Sequence, residues 1–349
     1  MQSAHSLFLR IAAGVAIFNN LLLVTLILFK SHRKVGKYKF LMIYISIFEI
    51  LYAIVDILAV PGIYTKDSMF VVVIYADQVF APSFLLPTFD NLFCLCFGIS
   101  MAIFAIHFIY RFLIVSEHIL VRKYDGQVVF GLLTIPLAFG TLWVWDVYYC
   151  ISPFEEADQF LSETFLEKIG QNISDITYVG PFFWPIGPNG RHHIHWKSAI
   201  GILIMIIGIV VSFGFILVFG YKCYQETTEI IGKATHSSSF NQLQSQLFYA
   251  LVFQTVIPVV LMHIPASIGF TASFFNSSFE VLGDIPSITV CLYPTLDPLP
   301  NFFIIRNYRE AIFSVVRKLF RIKGATVGTT GAGSEMMSYA TAAPVAPAN

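Results

Sequence analysis

Charge is what this sequence lacks. Only 12% of its 349 residues are Asp, Glu, Lys or Arg, well below the roughly 25% that soluble domains carry. With 56% hydrophobic residues and a mean hydropathy of +0.73, a water-facing shell cannot be assembled. Cysteine is scarce too. Cys94, Cys96, Cys150, Cys223 and Cys291 show no metal-type spacing. Most lie in apolar runs, where a small thiol packs like any apolar group, so neither a disulfide framework nor a structural metal is expected. Met1 to Ser6 holds no Lys or Arg, and the apolar run that follows reaches Phe29, too far for a signal-peptide core; the run is read as retained. No H-E-x-x-H or G-x-S-x-G occurs, and no carboxylate within an apolar run sits at short spacing from a His, so neither an enzyme nor a cofactor is expected. Twenty-one basic residues against 21 acidic ones give no reason to expect nucleic acid.

What is present is a series of apolar blocks, each long enough to cross about 30 Å of hydrocarbon as a helix. They run near 7-29, 40-60, 88-115, 128-150, 198-221, 246-272 and 284-305. None shows the ten-residue alternation of a membrane barrel, so the expected fold class is an all-α membrane protein, a seven-transmembrane helix bundle in contact with lipid. Prolines at 136, 258, 265, 294 and 298 predict kinks. One side collects Lys30, Arg33, Lys34, Lys37, Lys39, Arg111, Arg122, Lys123, Lys222, Lys233, Arg306, Arg309, Arg317, Lys318, Arg321 and Lys323. The other keeps Arg10, Lys66, Lys168, Arg191 and Lys197. Sixteen against five orients the chain with its N-terminus outside, in the plasma membrane. Two N-x-S sequons, at Asn172 and Asn276, fall in loops placed outside and are expected glycosylation sites.

Residues 1-6 are thus a short extracellular start and 7-305 the membrane domain. From Asn307 to Phe320, Ile312, Phe313, Val316 and Phe320 recur at helical spacing beside basic residues, which predicts a cytoplasmic amphipathic helix over 306-323. Residues 324-349, rich in Gly, Ala, Thr and Ser, read as a disordered tail. The loop from Ile151 to Lys197 is the longest connection. Ile173 to Trp184, a Gly187-Pro188-Asn189-Gly190 turn and Arg191 to Trp196 predict a β-hairpin in this second extracellular loop, capping the outer face. His192, His193 and His195 lie within it, but alternation puts only the last two on one strand face and no Cys or carboxylate joins them, so no metal is assigned.

Ionisable residues inside apolar spans are costly, and Glu49, Asp56, Asp90, His107, His263 and Asp297 each need a reason. Asn20, Glu49 and Asp297 each lie about nine residues from the inner ends of their spans, roughly 13 Å deep, and could meet. Two carboxylates there would share a proton or hold a cation with Asn20 completing the hydrogen bonds, either as a neutral structural network or as a conformational switch. The kink prolines Pro258 and Pro298 are counted with that switch. On the third span, stepping back from Arg111 gives His107, Phe104, Ser100, Phe97 and Phe93 on one face. Its outer half reads either as ordinary packing or, with Gln254 of the sixth span, as a small apolar ligand pocket. Arg111 itself is either a snorkelling terminal cation or a functional one.

The closing His107-Phe-Ile-Tyr110-Arg111 of the third span and Leu292-Tyr293-Pro294-Thr-Leu-Asp297-Pro298 in the seventh resemble the nematode Str class of serpentine chemoreceptors. Gly36-Lys-Tyr38-Lys-Phe-Leu-Met42, Cys94-Leu-Cys96, Asn189-Gly-Arg-His192, Gln246-Leu-Phe and Gln254-Thr-Val-Ile-Pro258 follow in order over about residues 10-320. The resemblance implies a G-protein-coupled receptor for a small volatile or pheromone-like ligand, in the cilium of a sensory neuron. It implies that Arg111, with Tyr110 beside it, couples to a heterotrimeric G protein, and that Asp297-Pro298 is the kink of the seventh helix. Tyr110 stands where larger receptor families have an acidic residue, and no Tyr follows Pro298 at their interval. Whether Cys94 and Cys150 pair is open at this stage.

A transporter would be expected to show repeated halves, and none is visible. A ligand-gated channel resembling insect odorant receptors would place its N-terminus inside, against the charge count. Both stand as alternatives to the receptor.

Overall fold

The computed structural model describes residues 2–32, 35–187, 189–232 and 238–319. Arg33, Lys34, Pro188, Lys233, Phe320, Arg321, Lys323 and the expected tail 324-349 lie outside the described residues. The chain divides into two units, Met1–Ile312, which holds the helices and a sheet, and Phe313–Asn349, whose described residues 313–319 are helical.

The apolar blocks became helices because hydrocarbon offers no partner for a backbone N–H or C=O, and a helix satisfies both within the segment. They are α1 (Gln2–Lys30), α2 (Tyr38–Ala59), α3 (Leu86–Val115) and α4 (Ile119–Cys150). A short α5 (Glu155–Leu161) precedes α6 (Trp196–Gly232). The sixth span joins α7 (Ser238–Pro258) to α8 (Ile264–Phe274) through a π-helical turn, Val259–His263. The seventh joins α9 (Val281–Leu296) to α10 (Leu299–Ile304), and α11 (Arg306–Leu319) follows. Among the described residues six helices are long and apolar enough to cross a membrane, and the chain from Val281, bent after Ile304, supplies the seventh. Phe29, Phe130, Leu217 and Phe303 stand exposed on these helices, an arrangement that suits lipid and not water.

The helix ends have local causes. Val60 enters the left-handed region at φ 46° and its N–H returns to the Asp56 carbonyl at 3.0 Å, closing α2. Pro87 opens α3, where no N–H is needed. The His118 ring accepts the Leu120 N–H at 3.3 Å and caps α4.

Two devices set how the helices pack. A Cβ on Gly98 would stand 2.7 Å from the Cβ of Trp143, and one on Gly140 2.6 Å from Ile99 Cγ1, so these glycines let α3 and α4 touch backbone to side chain. The second device is a substituted hydrogen bond. Pro298 has no N–H to offer the Pro294 carbonyl four residues back. Asn20 Nδ2 of α1 donates to that carbonyl at 3.0 Å, while Asn19 Nδ2 donates to the Thr295 carbonyl and Thr295 Oγ1 to the Ala12 carbonyl, each at 2.9 Å. The kink in the seventh span is thereby stapled to α1.

A small antiparallel sheet is present at one end of the bundle, but its hairpin comes from the connection between the second and third spans, and the second long loop, where the sequence predicts a hairpin, adds one strand to it. β1 (Gly62–Lys66) and β2 (Met69–Tyr75) form an antiparallel hairpin between α2 and α3, and β3 (Ile176–Val179) adds to β2 in the order β1-β2-β3. The segment around the Gly187–Gly190 turn contributes a single bridge, Ile186 to His192. The run Phe70-Val-Val-Val-Ile74, too short to span a bilayer, is rich in β-branched residues that favour a strand buried on both faces. Alternation divides it. Ile63, Phe70, Val72 and Val179 face into the bundle, while Tyr64, Val71, Val73 and Tyr178 pack with Ala157, Leu161 and Leu166 around α5. Glu155, Glu156 and Asp158 in the first turn of α5 complement its dipole. Asp158 accepts a hydrogen bond from Tyr178 Oη at 2.6 Å. Burial, with this carboxylate second, drives the Tyr178 phenol far above its ordinary range, and burial pushes Tyr64 up to about 12.

Candidate functional site

Beneath the sheet lies an almost wholly apolar cavity of about 60 Å³. Phe70 and Val72 form its roof, Phe93, Cys94 and Phe97 of α3 one wall, and Trp143, Met205, Ala266, Phe270 and Val290 are among the residues that line the remainder. The roof is fastened down. Phe70 packs at a tilt against Phe270 with centroids 4.3 Å apart, Ser273 Oγ donates to the Met69 carbonyl at 3.1 Å, and the Gly180 N–H donates to the Ile151 carbonyl at 3.0 Å. A ligand here would meet ring faces and methyl groups, which reward shape and apolar area.

Midway along the bundle the structure brings Asn20, Glu49 and Asp297 together, all buried. Glu49 lies close to Asp297, Asn20 and Tyr293. Gln254 Nε2 donates to Asp297 Oδ2 at 2.7 Å, so the layer ties α1, α2, α7 and the seventh span to one another. Like charges side by side in a dry interior repel strongly. Such a layer responds to any shift of the helices that carry it. Pro258 ends α7 a turn beyond Gln254 and opens directly into the π-helical turn, a defect common at moving parts of helices.

At the opposite end from the sheet, Arg111 is 1% exposed, so its side chain does not reach for the surface as a snorkelling cation would. Its Nη2 donates to the Gln244 carbonyl of α7 at 2.6 Å, and its guanidinium lies 5.6 Å over the Tyr38 ring of α2. Tyr38 also stacks on Tyr110 and meets the His107 ring edge-on. Tyr110 Oη donates to Asp125 Oδ1 at 2.7 Å, and Lys37 pairs with Asp125 Oδ2 at 3.3 Å. The acidic partner missing beside Arg111 in the chain is therefore supplied from α4, to Tyr110 instead of to the arginine.

This architecture has counterparts among known proteins. A family model described as serpentine type 7TM GPCR chemoreceptor Str matches residues 5–313. The chain belongs to that family. Among curated relatives, the G-protein coupled receptor str-217 of Caenorhabditis elegans is 32% identical over 88% of this chain and 88% of its own length. Serpentine receptor class r-10 of the same organism is 30% identical over 84% of this chain and 85% of its own, and its Caenorhabditis briggsae namesake 30% over 83% and 84%. Squid rhodopsin shares the fold, with a TM-score of 0.61 over 93% of this chain and 88% of its own at 11% identity. A multi-pass membrane receptor of the serpentine chemoreceptor family follows.

In this Str-family receptor the residues read from the third span separate by depth. Phe93 and Phe97 line the cavity; Ser100, Phe104, His107 and Gln254 do not. Ser100 Oγ donates to the Phe97 carbonyl at 2.6 Å, Phe104 sits in the core, His107 packs on Tyr38 and Gln254 serves Asp297. The reason is geometric: helical spacing keeps these residues on one face, but at 1.5 Å per residue the face runs far below the cavity floor. Cys94 and Cys150 are both free. The histidines of the long loop part company. His192 Nδ1 contacts the Trp184 carbonyl at 2.8 Å, His195 Nδ1 contacts Ser198 Oγ at 2.8 Å and stacks on Phe154, and His193 lies against Gly187. Asn172 and Asn276 are exposed at the sheet end. Missing from the sequence reading were Trp143, Met205, Phe270, Val290 and the whole sheet roof; the β-branched run at 70–74 was the one available signal.

Proposed function

We propose that this chain is a chemosensory G-protein-coupled receptor that takes a small, mainly apolar odorant or pheromone-like ligand in the cavity under the sheet and activates a heterotrimeric G protein at the Arg111 end. The observation that carries this reading is the Arg111 latch. A buried cation tied to a backbone carbonyl of the sixth span, with the apolar cavity on the same α3 helix, is an arrangement that ligand-driven helix motion would undo. In the resting arrangement Arg111 bridges α3 and α7; movement about Pro258 and the adjoining π-turn would separate them and open the inner face.

Among the described residues most basic side chains gather toward the Arg111 end and both sequons lie at the sheet end, which supports an N-terminus outside the cell, Asn172 and Asn276 as glycosylation sites, and α11 lying on the cytoplasmic surface. Family membership supports the plasma membrane of a sensory neuron, including its cilium, as the site of action. Glu49, Asp297, Asn20, Pro258 and Pro298 form the switch that couples cavity to latch, while Arg111 and Tyr110 belong to the coupling face.

The test is a G-protein reporter in cells expressing the full chain, screened with volatile and pheromone panels. An active ligand is expected whose response disappears in Arg111→Ala at equal surface expression. Ligand-evoked current without any G protein, or substrate uptake into vesicles holding only this chain, would replace the receptor reading with a channel or a transporter.

A further inference from the structure

Asp56 is, with Asp90, one of the buried polar groups of the sheet end that the site geometry leaves unexplained. It lies one turn before the end of α2 and is 1% exposed, and neither carboxylate oxygen has a hydrogen-bond partner among the described residues. Its neighbours include Tyr52, Cys96 and Cys291. A buried acceptor left unmatched costs free energy comparable to a lost hydrogen bond, more for a carboxylate, and calls for a ligand, water or ion to answer it.

The carboxyl lines a second cavity, of about 10 Å³, together with Pro61, Ser287 and Cys291. That is room for one water-sized group. Ser287 is already engaged, accepting the Ile63 N–H at 2.7 Å and donating to the Gly283 carbonyl at 2.9 Å. Asp56 is therefore the free acceptor in this small chamber. The chamber adjoins the apolar cavity, for Ile63, Phe93 and Val290 line both. Two chambers sharing a wall, one apolar and one ending in an unmatched acceptor, form a template for a molecule with an apolar body and a single donating head.

We propose that the ligand is a short apolar molecule ending in a hydrogen-bond donor, an alcohol or a primary amine, whose head group is received by Asp56. The inference rests on the receptor reading only for calling that molecule the ligand; the site itself is a property of the bundle. A head group without a donor can at most accept the acid's own proton and leaves the carboxyl's acceptor oxygen unmatched, whereas an alcohol can answer both. A site built to receive a donor discriminates strongly against an analogue that lacks one, whereas a methylene more or less changes little.

The experiment is binding to the purified full chain in lipid nanodiscs, read by thermal shift and by direct titration without any G protein. The probes are pentanol and pentylamine against their near-isosteric, donor-free counterpart butyl methyl ether. The donor probes are expected to bind the native chain about tenfold or more tightly than the ether. Asp56→Leu, which removes the acceptor at similar volume, is expected to erase that preference while keeping ether binding. Asp56→Asn, which keeps the shape and one acceptor oxygen, is expected to retain part of it and serves if the leucine variant does not fold. Equal binding of donor and ether probes, a preference that survives in both variants, or no probe bound because the chamber holds water alone would overturn the proposal. A donor preference without any cellular response would instead fault the receptor reading and leave this site standing.

Discussion

The two ends of the α3 helix handle polarity in opposite ways. At the sheet end, Phe93 and Phe97 face a cavity of rings and methyl groups, roofed by strands whose own backbone is paired. At the other end, Tyr110 and Arg111 stand in a network of hydrogen bonds, an ion pair and a cation–π contact with Asp125, Lys37, Gln244 and Tyr38. Apolar contact is non-directional and tolerates variants of shape, so the first end is suited to admitting different small molecules. Hydrogen bonds to a charged group are directional and break outright, so the second end is suited to a two-state response. The midway layer of Asn20, Glu49, Gln254 and Asp297 lies between them, on the helices that would have to move.

The strongest way to break this contrast is at the latch. Arg111→Ala is expected to abolish G-protein activation in a reporter assay while leaving ligand binding within a few-fold; retained activation would remove the functional asymmetry between the ends. Filling the cavity should do the converse. Ala266→Phe, on its wall, is expected to raise the half-maximal ligand concentration by about tenfold or more, consistent with the cost of overpacking, without altering basal signalling. Gly98→Leu tests the scaffold common to both ends. Its side chain must displace Trp143, and a loss of about 1–3 kcal/mol is expected, read as a lower melting temperature in detergent. Glu49→Gln is expected to change the response amplitude by a few-fold with unchanged binding, since it removes an ionisable group from the middle layer; unchanged signalling and expression would make the layer a static brace. The smallest effect concerns the sheet end and pH. Burial, then Lys197, lowers the His195 pKa from 6.5, so the unfolded chain takes up the proton more readily than the folded one. This contribution is full above pH 6.5 and is lost as pH falls through the lowered folded value. His195 is partly solvated, so only a slight drop in melting temperature is expected below that pH, and His195→Gln should flatten it.

The bundle was largely legible because lipid imposes a single rule that a chain must obey locally: runs of some twenty apolar residues close their own hydrogen bonds. The polar layer was legible for a related reason. Depth along a helix follows from counting residues, and Asn20, Glu49 and Asp297 do meet. The pocket was only half visible. Helical spacing ordered Phe93, Phe97, Ser100, Phe104 and His107 on one face but held no information about where the roof ends, and the roof comes from strands more than a hundred residues apart.

What the sequence by itself determined was the solvent, the number and approximate ends of the apolar helices, the family, and which polar residues had to find partners inside. Each of these depends on local composition, on periodicity or on ordered motifs, which are written in neighbouring residues. Which partners were found was decided by the tertiary structure alone. Arg111 could reach Gln244, Asp125 could answer Tyr110, Asn20 could replace the N–H that Pro298 lacks, and Asp56 could be left facing a chamber, only once helices distant in the chain had packed. Those pairings depend on crossing angles and on close approaches such as Gly98 against Trp143, where side-chain volumes from separate segments must fit together at the density of a solid.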